Sequence, residues 1–248
     1  MEICVNAADY GEFLNRPVPE LPENILNKLK NNPNISKIAF ADANQIIHDE
    51  NLQNEIGFAE LNNKEYLVAM STELPNTDSK MIDWWFWWQA QESERYQLWF
   101  PGEHKSISYK KSQRAYFSNK YQAFLENTQY PVERVGKITV ELSIRFVDPV
   151  KFGIKDKKKV LKHNGTIICG YVGILKGIIQ HTKMLHYFKP NEKGLILISR
   201  FWLGNGLPRL IRGMAANNDQ AFEMAKHCWI EYTRLGKILP EIYNQAKT

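Results

Sequence analysis

The C-terminal segment of the chain, from Asn217 onward, leaves few choices for the fold. Its apolar residues recur with helical spacing, at Ala221, Met224, Cys228, Tyr232, Leu235 and Leu239. Asn217 or Asn218 can cap the start of this segment, and Asp219 lies in its first turn, where the helix dipole favours negative charge. The pattern therefore predicts a long amphipathic helix with one face turned toward the protein core.

The segments before this helix are typical of β-strands. In Ile138–Phe146, apolar and polar residues alternate with a strict period of two. Thr166–Val172 and Gly194–Leu203 are also rich in strand-forming residues, and a further strand is expected around His181–Phe188. Antiparallel strands followed by a long helix predict an α+β fold in which the helix lies across a curved sheet. Such an arrangement encloses a cavity of the kind that holds apolar ligands.

Residues 1–78 differ from the rest in being rich in Asn, Pro and Glu. They predict a helix at Glu23–Asn31, a short strand at Lys37–Phe40 and a better strand at Tyr66–Met70. The turn-forming residues in 74–78 mark an expected boundary. We therefore expect a smaller N-terminal region, 1–78, followed by a main domain, 79–248.

The start of the main domain is expected to be helical. Met81–Gln97 is the first predicted helix, and Gln113–Leu125 is the second. Four of the seven Trp residues of the chain lie within the run WWFWW of the first helix. Such crowding of aromatic rings indicates a pocket wall or an interface as well as a core.

Composition and terminal patterns exclude several classes of protein. The net charge of +5 comes most visibly from Lys155, Lys157, Lys158, Lys159 and Lys162, which we interpret as a solvated loop or hairpin tip rather than a nucleic-acid site. No secretory signal and no membrane span are expected. Three widely spaced cysteines indicate a reducing, cytoplasmic location. The usual phosphate-loop, dinucleotide and serine-hydrolase motifs are absent.

His227 and Glu231 are the first residues that suggest chemistry. They lie one helical turn apart, so both side chains can reach one point, and two ligands at this spacing are half of a metal site. The alternative is an ordinary surface His–Glu pair. Glu231, however, lies beside Cys228 and Leu235 on the apolar stripe, where a charged group needs a partner.

His104 and Glu133 are further candidate ligands. His104 follows the turn Trp99–Gly102, and Glu133 stands just before the alternating strand. A loop histidine and a solvated strand-end carboxylate are the alternatives, and spacing alone does not decide between them. The other histidines show no ligand spacing and are expected to be mostly structural or superficial: His48, His163, His181 and His186.

Together, several short motifs resemble the diacetylphloroglucinol hydrolase family, which includes phloretin hydrolase. Five of them occur in the main domain, in the expected order: Met81–Phe86, Arg95–Trp99 leading to His104, Ser199–Gly204, His227–Glu231 and Leu239–Tyr243. The similarity extends upstream through Asn15–Pro19 and Glu55–Phe58. Each motif is weak alone, but five in sequence are specific, and they cover nearly the whole chain.

This resemblance implies a zinc enzyme with a helix-grip (Bet v 1-like) domain that hydrolyses acylphloroglucinols, with residues 1–78 used in homodimerisation. Carried over position by position, it implies four zinc ligands: His104, Glu133, His227 and Glu231. Tyr96 would bind a hydroxyl of the small aromatic substrate.

The expected reaction is hydrolysis of the carbon–carbon bond between an acyl group and a phenolic ring. Glu133 or Glu231 would take a proton from the attacking water, Tyr96 would orient a ring hydroxyl, and His186 would make a second substrate contact. Two positions depart from the family pattern: Gln89 replaces a histidine, and Ile107 replaces a polar amide. Both departures affect which acylphenol is expected to be the substrate. The alternatives are a non-catalytic helix-grip carrier of an aromatic ligand and a metal-free enzyme similar to polyketide cyclases.

Overall fold

The computed structural model describes residues 10–31, 33–109, 125–214 and 216–246 of the 248-residue chain. In chain order, its strands β1 to β10 are Gly57–Glu60, Tyr66–Pro75, His104–Ser106, Thr128–Gln129, Val132–Val135, Ile138–Glu141, Ser143–Val147, Thr166–Ile174, Ile179–Asn191 and Gly194–Leu203. Its α-helices α1 to α8 are Gly11–Leu14, Glu23–Asn31, Glu50–Gln53, Ser79–Trp88, Ser93–Trp99, Pro149–Phe152, Lys157–Lys162 and Asn218–Gln245. Short 3-10 helices span Phe40–Ile47, Gln89–Gln91, Leu175–Gly177 and Arg212–Met214.

Seven of the strands form one antiparallel sheet in the order β1-β2-β10-β9-β8-β7-β4. Strands β3, β5 and β6 form a second, three-stranded antiparallel sheet. The predicted α+β class, with a large antiparallel sheet and a long C-terminal helix, is confirmed. Strands β1 and β2 precede residue 78 and belong to the large sheet, and the division at residue 78 stays a prediction.

Helix α8 begins and packs as its sequence predicts. The side chain of Asn217 caps it by accepting a hydrogen bond of 3.0 Å from the backbone N–H of Gln220. Of the six apolar positions predicted to face the core, five are buried and Met224 is partly buried. At Gly236 the helix approaches β2 so closely that an added Cβ would lie 3.0 Å from the Cα of Leu74. Glycine therefore lets the helix pack closely where it crosses this strand, and a larger residue would press on the backbone of Leu74.

The large sheet is buried on both faces, as the pattern in β10 shows. Leu197 and Phe201 belong to the core that contains α8, whereas Ile198 and Trp202 belong to a second cluster on the opposite face. This alternation follows from the period of two in a β-strand. The indole of Trp202 donates to the backbone carbonyl of Ile38 at 2.9 Å, so the N-terminal segment covers this second face.

The prediction of a single strand over Ile138–Phe146 is wrong. The segment divides at Leu142 into β6, which pairs with β5 in the small sheet, and β7, which pairs with β8 in the large one. Leu142 lies between them, and its backbone N–H donates to the carbonyl of Pro131 at 2.8 Å. Alternation continues through Leu142, so the pattern gave no sign that the chain changes sheets there.

The predicted strand at Lys37–Phe40 is also wrong. Residues 33–39 have no regular structure, and a 3-10 helix begins at Phe40. Instead, Pro33 makes the contact with the sheet, because its carbonyl accepts a 2.7 Å hydrogen bond from the backbone N–H of Phe58 in β1. The apolar residues Ile38 and Phe40 pack on the second cluster without a strand partner.

The remaining predictions of helices and strands have mixed outcomes. The helix predicted over Met81–Gln97 is interrupted, because α4 ends at Trp88 and Glu92 has extended backbone angles before α5 begins. The lysine-rich segment predicted as a loop or hairpin tip forms the short helix α7. The predictions at Glu23–Asn31, Tyr66–Met70, Thr166–Val172, His181–Phe188 and Gly194–Leu203 are confirmed.

The candidate helix Gln113–Leu125 lies almost entirely outside the described residues, and Leu125 itself lies in a turn. Among the helices within the described ranges, none has both the length and the apolar character needed to cross a bilayer.

Candidate active site

A cavity of about 740 Å³ lies between α8, the large sheet and the small sheet. Its lining is mostly apolar, as in ligand-binding pockets generally. The titratable side chains Tyr96, Glu133, His227 and Glu231 all face it. Four of the residues singled out from the sequence therefore line one cavity.

Strand pairing brings His104 and Glu133 together. His104 begins β3, Glu133 lies in β5, and the two residues are direct partners in the antiparallel register. Directly opposed residues have their side chains on the same face of a sheet. The turn before His104 is closed by a 2.9 Å hydrogen bond from its backbone N–H to the carbonyl of Phe100. Residues 29 positions apart in the sequence thus reach the same point.

Helix α8 supplies the other two candidates. His227 and Glu231 lie one turn apart, and Nε2 of His227 is 3.7 Å from Oε2 of Glu231. The same oxygen is 3.5 Å from Nε2 of His104. The indole of Trp99 donates to the backbone carbonyl of Glu231 at 3.1 Å, which holds the end of α5 against α8.

His104, Glu133 and His227 form a group with the composition of a metal site, because one ligand atom from each lies within 4.8 Å of the other two. Glu231 lies outside this group, although its Oε2 is close to both imidazoles. Within the described part of the chain, Nε2 of His104 and Nε2 of His227 are buried and have no hydrogen-bond partner. Buried nitrogens of this kind normally bind a partner, so the residues fit a bound cation.

The electrostatics of the group point the same way. Burial raises the pKa of Glu133 to about 7, against the lowering effect of the hydrogen bond from Tyr96. Burial and the neighbouring Glu133 raise the pKa of Glu231 well above its usual value. Burial lowers the pKa of His227 to about 4. Burial and the nearby His227 lower the pKa of His104 well below its usual value. A bound cation would favour the ionised form of the two carboxyl groups and the neutral form of the two imidazoles.

Tyr96 contacts two members of the group. Its ring stacks on that of His104, with centroids 4.1 Å apart and planes 3° from parallel. Its hydroxyl donates a hydrogen bond to the carboxylate of Glu133. The other ring nitrogen of His104, Nδ1, lies 3.3 Å from the backbone carbonyl of Tyr96. The predicted role of Tyr96 as a substrate contact stays a prediction.

His186, Gln89 and Ile107 also line the cavity. Nδ1 of His186 lies 2.9 Å from the hydroxyl oxygen of Ser199 on the adjacent strand, and its ring is 5.0 Å from that of Tyr232. Burial lowers the pKa of His186 to about 3, so the imidazole is neutral. The structure therefore places His186 at the wall of the cavity and outside the candidate metal group.

His181 also lines the cavity, although its lack of ligand spacing in the sequence indicated a structural or surface residue. In the register between β8 and β9, Val172 faces Thr182 and the next residue, Gly173, faces Gln180, so His181 is the extra residue of a β-bulge. Both His181 and Thr182 consequently line the cavity. A period of two places only alternate residues on one face, so this position had no detectable signal in the sequence.

Comparison with known proteins identifies a matching family and several relatives. The family model of the DAPG hydrolase PhiG domain matches residues 38–244. A 2,4-diacetylphloroglucinol hydrolase from Pseudomonas protegens is 29% identical, over 85% of this chain and 74% of its own length. Another from a Pseudomonas species is also 29% identical, over 85% of this chain and 78% of its own. Phloretin hydrolase from Eubacterium ramulus is 25% identical, over 85% of this chain and 79% of its own.

The family model covers more than half of the chain and includes all four candidate ligands. The resemblance based on the short motifs is thereby confirmed, and the chain belongs to the DAPG hydrolase family.

Proposed function

We propose that this chain is a zinc-dependent hydrolase that cleaves the carbon–carbon bond between an acyl group and a phloroglucinol-like phenolic ring and releases a carboxylic acid. The observation that carries this proposal is the group His104, Glu133 and His227 beside a cavity of about 740 Å³, because two imidazole nitrogens of the group have no partner among the described residues. The relatives hydrolyse 2,4-diacetylphloroglucinol and phloretin, which supports the substrate class.

The ligands that would hold the ion are His104, Glu133, His227 and Glu231. Imidazole and carboxylate donors suit zinc, and manganese and iron accept the same donors. When bound, zinc supplies a Lewis acid that polarises a carbonyl group and lowers the pKa of water. A carrier of an aromatic ligand or a metal-free enzyme similar to polyketide cyclases would have no use for two histidines and two glutamates that converge in this way.

The residues around the group orient it and the substrate. Tyr96 holds Glu133 through its hydroxyl and His104 through its ring, and its oxygen can still accept a hydrogen bond from a ring hydroxyl of the substrate. Glu133 or Glu231 accepts the proton of the attacking water. His186 makes a second substrate contact through Nε2, because its Nδ1 is occupied by Ser199.

The wider architecture that we propose is a helix-grip (Bet v 1-like) domain in which α8 is held by the curved large sheet, with most of the domain supplied by residues 79–248 and strands β1 and β2 supplied by residues 1–78. We further propose that residues 1–78 form the interface of a homodimer and that the protein is cytoplasmic. The cysteines Cys4, Cys169 and Cys228, odd in number and far apart, support a reducing compartment.

The reaction requires a leaving group that can carry negative charge. Expulsion of an aryl carbanion costs too much, but a phenol with its hydroxyl ortho to the acyl group can tautomerise to a ring ketone. The acyl carbon then forms part of a β-diketone. In this tautomerisation the ring carbon that bears the acyl group takes up the proton. Addition of hydroxide to the acyl carbonyl then breaks the carbon–carbon bond, and the electron pair is delocalised onto the ring oxygen as a phenolate, which is protonated at oxygen. The products are a carboxylic acid and the free phenol.

The test compares an acylphloroglucinol with its ortho-O-methyl ethers, in which the hydroxyls next to the acyl group are blocked. We expect release of the carboxylic acid from the free phenol and none from the ethers, because the ethers cannot form the ring ketone. Competition with the free phenol shows whether an ether still binds. Hydrolysis of a bound ether at a similar rate would contradict the tautomer mechanism, and failure to cleave the free phenol would contradict the proposed function.

A further inference from the structure

The cavity wall carries two buried amide side chains, Gln89 and Gln129. Each residue is only 2% exposed. Within the described part of the chain, Oε1 of Gln89 and Nε2 of Gln129 have no hydrogen-bond partner. Buried amide atoms are almost always hydrogen-bonded, so one such atom from each of two glutamines in the wall of a single cavity, both without a partner among the described residues, requires an explanation.

Both amides line the same cavity, Gln89 just after the end of α4 and Gln129 in β4 at the edge of the large sheet. Gln129 in β4 is the direct partner of Ile144 in β7, so the two side chains share a face of the sheet, and both line the cavity. Gln89 follows Phe86 by three residues, and the ring of Phe86 lies 6.0 Å from that of Phe146, two residues beyond Ile144. The surroundings of both amides are therefore largely apolar.

We propose that Gln89 and Gln129, here called the amide pair, form a polar subsite for the ring hydroxyls of a polyhydroxylated acylphenol. This inference rests on the proposed function and names the residues that select its substrate.

The chemistry of the amide pair matches that of a phenolic hydroxyl. An amide offers one acceptor and two N–H donors, and a phenol can both donate and accept. The terminal torsion of a glutamine side chain is soft, so either end of each amide can turn toward the cavity. A substrate with several hydroxyls would satisfy both amides, whereas a ring without them would leave both unpartnered.

The test measures binding of two ligands to the zinc-loaded enzyme by calorimetry: trihydroxyacetophenone, which has three ring hydroxyls, and 2-hydroxyacetophenone, which has one. We expect the wild-type chain to prefer the first by about tenfold or more. Gln89→Leu and Gln129→Leu should each reduce this preference about tenfold, since each removes a hydrogen bond to the ligand.

Thr72→Val is the matched control. Thr72 is 4% exposed, its hydroxyl likewise has no partner within the described ranges, and it lies outside the cavity lining. All three variants should keep or raise the melting temperature of the free protein, because each removes an unpartnered buried polar atom. Only the two glutamine variants should change the ligand preference.

The outcomes separate this inference from the proposed function. An unchanged preference in both leucine variants would overturn the subsite, whether or not the wild-type chain cleaves an acylphenol. If the leucine variants lose the preference, and the wild-type chain binds the ligands but does not cleave an acylphloroglucinol, the subsite is supported and the proposed function is contradicted. Failure of the wild-type chain to bind either ligand would overturn both.

Discussion

Tyr96 is the residue that does most to hold the side chains of the candidate site in position. It donates a hydrogen bond to Glu133 and stacks on His104, so it contacts two of the expected ligands at once. Residues that orient metal ligands in this way commonly affect metal affinity and turnover 10- to 100-fold. Removal of the hydroxyl alone leaves the stacked ring in place.

We therefore predict that Tyr96→Phe lowers kcat/KM on an acylphloroglucinol about 10- to 100-fold, with a change in unfolding free energy of only about 1 kcal/mol. The control is Tyr187→Phe, because Tyr187 is buried in the cluster on the opposite face of the sheet. Steady-state kinetics and denaturant unfolding of both variants check this prediction. If Tyr96→Phe had wild-type kinetics, the substrate pocket would lie elsewhere.

At the scale of residues, the sequence predicted the pair on α8 because helical spacing is fixed. The convergence of His104 and Glu133 with that pair depends on the pairing of β3 with β5, which no spacing in the sequence reports. Only the family resemblance could join the two pairs. Neither residue spacing nor the family resemblance identified His181, because a β-bulge, rather than the period of two in the strand, turns it to the cavity.

At the scale of elements, the contact between α4 and β8 includes a partly buried carboxyl group. Asp83 in α4 accepts a hydrogen bond of 2.9 Å from the hydroxyl of Thr166 in β8. Burial raises the pKa of Asp83 from 3.8 to about 6, although this hydrogen bond opposes the shift. Between these two values the folded state binds more protons than the unfolded state, so the contribution of Asp83 to stability falls as the pH rises from about 4 to about 6.

Asp83→Asn should remove this loss, since the amide does not titrate and its oxygen can still accept from Thr166. The quantity of interest is the unfolding free energy of the variant minus that of wild type. We predict that this difference is greater at pH 7 than at pH 4, by at most about 3 kcal/mol. Urea unfolding of both proteins at the two pH values measures this difference. The same difference at both pH values would show that Asp83 titrates normally in the folded protein.

A helix or strand was predictable where a single periodic sequence pattern corresponded to a single element. The start of helix α8, where Asn217 or Asn218 was the expected cap, and both ends of strand β10 were predicted from the sequence. The break at Leu142 was not, because the alternation that defines a strand does not state which sheet the strand joins. The break at Glu92 was missed for a related reason, since aromatic and apolar residues continue on both sides of it.

At the scale of the whole molecule, the N-terminal segment is tied to α8. The guanidinium of Arg234 donates to the backbone carbonyls of Phe13, Arg16 and Pro17 at 2.5, 2.7 and 3.2 Å. The side chain of Arg16 in turn makes two hydrogen bonds of 2.7 Å to the carboxylate of Glu241. Any interface formed by the N-terminal segment would therefore be connected directly to the helix that carries two of the candidate ligands.

We predict that the protein is a homodimer assembled through residues 1–78, because this stretch is rich in polar residues and the family resemblance implies dimerisation there. Light scattering at micromolar concentration should give twice the chain mass of 28.9 kDa. Hydrogen exchange at increasing protein concentration should show added protection within residues 1–78. A monomeric mass under these conditions would contradict the prediction.

The most direct test is the rate of acylphloroglucinol cleavage as a function of bound zinc. Protein stripped with a chelator should be inactive, and activity should return in proportion to zinc until about one ion is bound per chain. His227→Ala should neither bind zinc at this site nor regain activity, whereas His163→Ala, a change at an exposed histidine, should behave as wild type. Full activity in protein shown to be free of metal would contradict the account.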